Sequence, residues 1–251
     1  MYDTLAGVYD WLVPEPLRTP EGAAAAFVGV LPAGATRVLD CAAGTGQLAV
    51  GLARAGFQVV ASDASAAMVA RTRALAEAYG VDVPAVRCAW ADLPARGWHG
   101  SFDAVLCVGN SLTHAAGQEG RRAALGAMAG VLRAGGRLVV TSRNWEHVRE
   151  RGSGLEVADQ LAERDGERAL VVHGWTIPDG WDDPHVLDVA VARIDGTGAV
   201  TTARERLTFW PFRAGELDAD LRSAGLEPES STYRDRDERY LVTARHAVRD
   251  R

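Results

Sequence analysis

An α/β fold, a doubly wound and mostly parallel sheet with an inserted antiparallel β cap, is predicted by three observations. Apolar, β-branched runs alternate with helical stretches from residue 36 to about residue 142. The first run closes on an acid and a small, glycine-rich turn, Asp40-Cys41-Ala42-Ala43-Gly44-Thr45-Gly46. Between residues 150 and 212 the rhythm breaks and stretches of apolar–polar alternation take over. Strand–helix alternation with apolar strand centres means parallel strands covered on both faces, whereas alternation along a strand means one solvated face.

In chain order, Glu21 to Leu31 reads as an alanine-rich helix stopped by Pro32 and Gly34. Strands are expected at about 36–41, 57–62, 84–89, 103–108 and 136–142, with helices at 46–55, 66–80 and 119–133. Gly152 to Glu167 is charged and glycine-bearing; Ala169 to Thr176, Val186 to Ile194 and Val200 to Phe209 then read as a meander, with Asp195-Gly196-Thr197-Gly198 as a turn. Leu217 to Ala224 is a final helix and Arg239 to Arg245 a closing strand. The expected organisation is a lid and first helix (1–35), a cofactor-binding α/β core (36–149), the cap over a substrate pocket (150–212), and a C-terminal helix and closing strands (213–251).

Length and composition narrow the classes. A chain of 251 residues suits one core with embellishments and needs no disulfide or metal staple. With 27 basic and 33 acidic residues the net charge is −6, which argues against a nucleic-acid partner, since such binding relies on clustered Lys and Arg. Cys41, Cys88 and Cys107 lie in apolar strand contexts without metal spacing, so no metal and a reducing, cytoplasmic setting are expected. No apolar run approaches about 18 residues, so no membrane span is expected. The oligomeric state stays open, a homo-oligomer included.

Crossovers in such sheets are right-handed, so a ligand is expected beyond the C-terminal strand ends, where Asp40, Asp63, Trp90, Cys107 and Asn110 fall. A strand opening into Gly44 and Gly46 at a helix start lets a ligand lie against bare backbone. Asp63, at the end of the second apolar run, is placed to accept both hydroxyls of a ribose. Two cofactors compete. Gly44-x-Gly46-x-x-Ala49 followed by Asp63 also satisfies a dinucleotide fingerprint. Asp40, however, would set a negative charge against a pyrophosphate. S-adenosylmethionine, with an ammonium, a sulfonium and no phosphate, fits that acid better.

These residues resemble the motifs of class I S-adenosylmethionine-dependent methyltransferases. Asp40 to Gly46 is similar to their motif I. Ser62-Asp63-Ala64-Ser65 with Met68 resembles the segment that holds the ribose and flanks the adenine, and Cys88-Ala89-Trp90-Ala91-Asp92-Leu93 the segment lining that ring. Phe102-Asp103 through Asn110 resembles the fourth-strand motif, and Leu132-Arg133-Ala134-Gly135-Gly136 the turn into the fifth strand. The resemblance spans about residues 36–145 and implies a Rossmann-like, seven-stranded sheet. Val108-Gly109-Asn110-Ser111-Leu112-Thr113-His114 and Ser142-Arg143-Asn144-Trp145 are similar to segments of glycine and sarcosine N-methyltransferases, where the matching Asn and Arg hold the amino-acid substrate. Tyr2-Asp3, Tyr9-Asp10 and Arg18-Thr19 resemble that subfamily's lid over the cofactor, although the lid here is shorter. Ala89 replaces the usual Asn, and Phe209-Trp210-Pro211 replaces a tyrosine pair before proline.

The expected cofactor contacts are therefore Tyr9, Arg18, Asp40, Ala42, Gly44, Gly46, Asp63, Ala64, Met68, Ala89, Trp90 and Cys107. Asp40 would act on the methionine end or cap the following helix, and Trp90 would meet the adenine edge through its indole N–H or ring face. Arg143 is the sharpest substrate candidate, a fixed cationic fork suited to a carboxylate. Asn110 would meet a substrate amine or carboxylate, or shape a turn. His114 would take a proton from the amine, or stand as a satisfied helix-start histidine. Trp175, Trp181, Phe209 and Trp210 would wall the pocket or fill the core of the inserted sheet. The favoured reaction is N-methylation of a small amine bearing a carboxylate, on an acceptor bulkier or less polar than glycine. O- or C-methylation of a natural-product intermediate, a cofactor-binding protein without turnover, and a nicotinamide dehydrogenase are the alternatives.

Overall fold

The computed structural model describes residues 2–158, 160–164 and 166–247. Strands β1 (Arg37–Asp40), β2 (Gln58–Asp63), β3 (Ala85–Arg87), β4 (Phe102–Cys107) and β5 (Leu132–Arg143) alternate with helices α2 (Gln47–Arg54), α3 (Ala66–Ala78) and α4 (Gly117–Val131), after an N-terminal α1 (Pro20–Phe27). Helix α5 (Trp145–Arg151) leads into the cap strands β6 (Gly154–Val157), β7 (Ala162–Arg164), β8 (Glu167–Thr176), β9 (His185–Ile194) and β10 (Val200–Phe209). Helix α6 (Ala214–Ser223) and strands β11 (Leu226–Ser231) and β12 (Arg239–His246) return the chain to the first sheet.

The main sheet has seven strands in the order β11-β12-β5-β4-β1-β2-β3. β1 pairs in parallel with β2 on one side and β4 on the other, so the strand order reverses between β1 and β4. β12 runs antiparallel to both β5 and β11. The cap is an antiparallel sheet in the order β10-β9-β8-β6, with β7 also on β8. Both sheets match the architecture expected from the alternation.

Three apolar clusters hold these layers. One face of the main sheet packs Phe102, Leu125, Met128 and Leu221 between β4, α4 and α6. The other packs Phe27, Val38, Leu52, Val69 and Leu106 against α1, α2 and α3. A third joins Leu5, Trp145, Val148, Trp175, Leu187, Leu207 and Phe209, so the N-terminal segment and α5 share the cap's core. Asp103 pins the far end of the sheet, accepting from the Thr36 and Arg37 amides at 2.7 and 2.8 Å and pairing with Arg133 at 2.7 Å.

Four local expectations need correction. The first helix stops at Phe27 and continues as a 3-10 turn, Val28–Val30, because Gly29 between two valines weakens the helix and Leu31 must be extended before Pro32. Helix α5 was not anticipated; Asn144 caps it, its Oδ1 accepting from the His147 amide at 3.2 Å. β6 and β7 form within the charged segment, β6 fully exposed, because backbone pairing with β8 decides where no face is buried. β11 is a polar strand whose register shifts between Pro228 and Ser230, paired only along β12.

Helices α4 and α6 are tied by a buried ion cluster. Asp220 accepts from Arg121 and Arg122 at 2.6 Å each, and Arg121 also lies 4.7 Å over the Phe212 ring. Arg121 and Asp220 are almost wholly shielded from solvent. Replacing Asp220 with Asn leaves the Arg121 guanidinium buried without its counter-charge, and urea unfolding is expected to show a loss of about 3–5 kcal/mol.

Candidate cofactor and acceptor site

The turn between β1 and α2 is shaped by its glycines for two different reasons. Gly46 has φ +91°, and a Cβ there would lie 2.9 Å from the Thr72 Cα, so α3 packs directly on the turn. Gly44 has φ +56°, but a Cβ there would meet only the Tyr9 ring, at 3.9 Å. One side of the turn is thus filled by protein and the other offers bare backbone to a ligand. The turn is held by Thr72 Oγ1 donating to the Gly44 carbonyl at 3.0 Å and by the Cys41 amide donating to Leu106.

Asp40 sits beneath this turn, buried, with Oδ1 unpartnered. Burial pushes its carboxyl up to about 7; the Ala42 amide pulls the other way, and the Asp63 charge adds to the rise. Such a group is costly when ionised in isolation and favourable beside a cation. Asp63 accepts from the Gly44 amide at 2.9 Å and the Ser65 amide at 2.8 Å, so it binds its own turn while each oxygen keeps a second lone pair. Burial raises its carboxyl also.

The remaining cofactor candidates divide by position. Ala42, Gly44 and Tyr9 line a cavity of about 400 Å3 at the strand-order reversal, together with Gly109, Thr141, Arg239 and Tyr240. Met68 is buried in the first turn of α3, its amide bound to Ser65 Oγ; Ala64 and Ala89 are exposed. Trp90 donates its indole N–H to the Cys41 carbonyl at 2.9 Å, which commits that proton to the protein and leaves the ring for any contact with a base. Cys107 packs its thiol against Cys41 in the interior, so only its backbone could reach a ligand. Arg18 donates from Nε to the Val13 carbonyl within the lid.

The lid is fastened to the core. Asp3 accepts from Ser65 Oγ at 2.6 Å, and Arg71 of α3 donates to Asp10 at 2.6 Å and to the Ala6 carbonyl. The Tyr2 hydroxyl meets His114 Nε2 at 2.9 Å, and its amide donates to Glu205 on β10. His114 Nδ1 lies 2.9 Å from the Thr208 carbonyl, an acceptor, so Nδ1 carries the proton and Nε2 accepts from Tyr2. Burial holds His114 below its usual range and therefore neutral. The geometry places it as a fastening between lid and cap, with no nitrogen free for a substrate proton while Tyr2 is seated.

At the acceptor end, Arg143 closes β5. Its guanidinium lies 5.4 Å over the Trp175 ring, and no described residue forms an ion pair with it. Burial first, and Arg239 second, lower its pKa to about 10. Asn110, buried at φ +69°, accepts the Arg143 amide on Oδ1 at 2.9 Å; the carboxamide oxygen is thus engaged and the NH2 remains to donate. Trp175 and Phe209 pack at a tilt in the cap core, 5.7 Å apart, and Phe209 lies 4.7 Å from His114. Trp210, half-buried, donates its amide to the Thr113 carbonyl; Trp181 lies under Arg149 and Arg213, at 4.6 and 4.2 Å. Sequence reading missed Arg239, Glu205 and the Tyr2–His114 contact. Only the pairing of β12 with β5 would have brought Arg239 to notice.

Residues 38–136 match the family described as a methyltransferase domain. Glycine/sarcosine N-methyltransferase of Halorhodospira halochloris is 39% identical over 119 residues, which cover 47% of this chain and 44% of that protein. The alignment thus spans less than half of that relative. Among solved structures, the CcbJ methyltransferase of Streptomyces caelestis matches with a TM-score of 0.76 at 23% identity, over 98% of this chain and 97% of that one. CalS10 of Micromonospora echinaspora, an amino pentose methyltransferase, matches at 0.71 and 21%, over 96% and 95%. Those two carry the fold. The chain contains a class I S-adenosylmethionine-dependent methyltransferase domain. S-adenosylmethionine is its cofactor.

The residues fit that group: a buried carboxylate with one oxygen unpartnered, and an open glycine backbone beside it. A cation beside Asp40 favours its ionised form, so below about pH 7 binding must first expel a proton. Calorimetric affinity for S-adenosylmethionine is expected to weaken as pH falls below about 7, by up to about tenfold per unit. Asp40→Asn is expected to bind more weakly and to lose that slope.

Proposed function

We propose that this chain transfers a methyl group to the nitrogen of a small amine that carries a carboxylate. The observation that carries the reading is Arg143: a cation at a strand end, largely out of solvent, stacked on Trp175 and without an acidic partner among the described residues. A desolvated guanidinium without a counter-charge is costly, and a planar carboxylate satisfies it with two parallel hydrogen bonds. The 39% identity to a protein named glycine/sarcosine N-methyltransferase supports an amino-acid acceptor.

When bound, S-adenosylmethionine supplies an electrophilic methyl on a sulfonium. The protein's task is then to hold the amine in line and keep water out, and such alignment contributes roughly 7–11 kcal/mol in favourable systems. Arg143 fixes the carboxylate, and the Asn110 NH2 is available to donate beside it. Trp175, Phe209 and Trp210 exclude water, and aromatic faces stabilise a nearby cation by about 0.5–2 kcal/mol. Phe209 and Trp210, where hydroxylated side chains would bring polar atoms, favour an acceptor bulkier than glycine. His114, neutral and bonded on both nitrogens, takes no proton, so the amine must arrive with its lone pair free and the methylated ammonium then gives its extra proton to solvent.

Arg143→Leu is expected to raise the acceptor KM about 10- to 100-fold, the worth of a charged hydrogen bond, with little change in the KM for S-adenosylmethionine. The measurement is initial-rate release of S-adenosylhomocysteine across a panel of amines with and without a carboxylate. An unchanged acceptor KM removes the carboxylate from the reading.

A further inference from the structure

We propose that Arg239 is a second anion-holding residue beside Arg143, and that the acceptor amine carries two acidic groups, one for each guanidinium. This rests on the acceptor reading given above. Arg239 stands directly opposite Arg143 in the antiparallel β5–β12 pair, so both side chains rise from the same face. Like charges facing one another across a ladder destabilise the pair unless an anion lies between or above them.

No described residue supplies that anion. Among the described residues neither guanidinium takes part in an ion pair within 4.0 Å. The nearest carboxylates acting on Arg143, Glu156 and Glu238, are drawn to Arg151, at 3.9 and 3.4 Å. The repulsion is felt, since Arg239 is the main charge lowering the Arg143 pKa.

The two arginines also face different spaces. Arg143 lies against Trp175 under the cap, whereas Arg239 lines the lid cavity with Tyr9, Thr141 and Tyr240. One carboxylate bridging both is therefore less suited than two groups on one molecule. β12 lies three strands from β1 in the sheet order, about 14 Å at the usual spacing, so Arg239 enters the cavity it shares with Gly44 from the acceptor side. The chemical class is an aminodicarboxylate, bulkier than glycine as the Phe209–Trp210 wall allows.

Calorimetry on the full chain saturated with S-adenosylhomocysteine tests this without turnover, using succinate and butyrate as probes. Succinate is expected to bind about tenfold or more tightly than butyrate, Arg239→Gln to remove most of that difference, and Arg239→Lys to keep part of it. In methyl transfer, the kcat/KM ratio of aspartate over alanine is expected to fall about tenfold in Arg239→Gln. Equal binding of the two probes overturns the proposal. So does an Arg239→Gln variant that weakens both probes alike, or one that weakens S-adenosylhomocysteine, which would place Arg239 on the cofactor. An unchanged melting temperature separates these readings from misfolding. If amino acids yield no S-adenosylhomocysteine while succinate behaves as stated, the acceptor reading fails and the paired anion site survives it.

Discussion

One turn between β1 and α2 has to do two opposed things. On its inner side it must approach α3 so closely that no side chain fits at Gly46; on its outer side it must stay uncovered at Gly44. Asp40, trapped below, keeps one oxygen without a partner, and burial raises its carboxyl so that a cation alongside favours its ionised form. Close packing on one side makes the bare backbone rigid, and the unsatisfied acid makes it selective for cations over phosphates. The placement of strand ends, lid and cap around it follows from the reversal of strand order at the same point.

The residues proposed for the acceptor lie further along the sheet edge. From β1 through β4 and β5 to β12 the strand ends change from acid to amide to arginine: Asp40, Asn110, Arg143, Arg239. A charge gradient of this kind would orient the zwitterionic acceptor proposed above before any contact is made. Trp145, Trp175 and Phe209 form the dry side of the same edge, and their packing depends on residues from both the N-terminus and α5.

The core was legible because its signals are local. Apolar runs mark β1, β2 and β4 directly, and the acid, the two glycines and Asp63 lie within one strand–turn–helix–strand unit. Where the sequence was silent, the deciding energy came from elsewhere in the chain. β6 and β11 have few buried residues and exist through backbone pairing with a neighbour already in place. The proximity of Arg239 to Arg143, and of Tyr2 to His114, depends on strands and termini far apart in sequence, which no periodicity reports. Trp90 shows a subtler limit: its residue type suits an aromatic ligand, yet a backbone carbonyl takes its proton first.

Leu5 shares a buried cluster with the cap strands, while Asp3 and Asp10 grip α3. Lifting the N-terminal segment therefore breaks contacts in the cap and in the nucleotide half at once. In the proposed reaction, departure of the spent nucleoside and of the methylated acceptor would be coupled, because one segment contacts both halves. In such an arrangement the tempo of repeated cycles would follow how often that segment lifts, with the chemical step run beneath it.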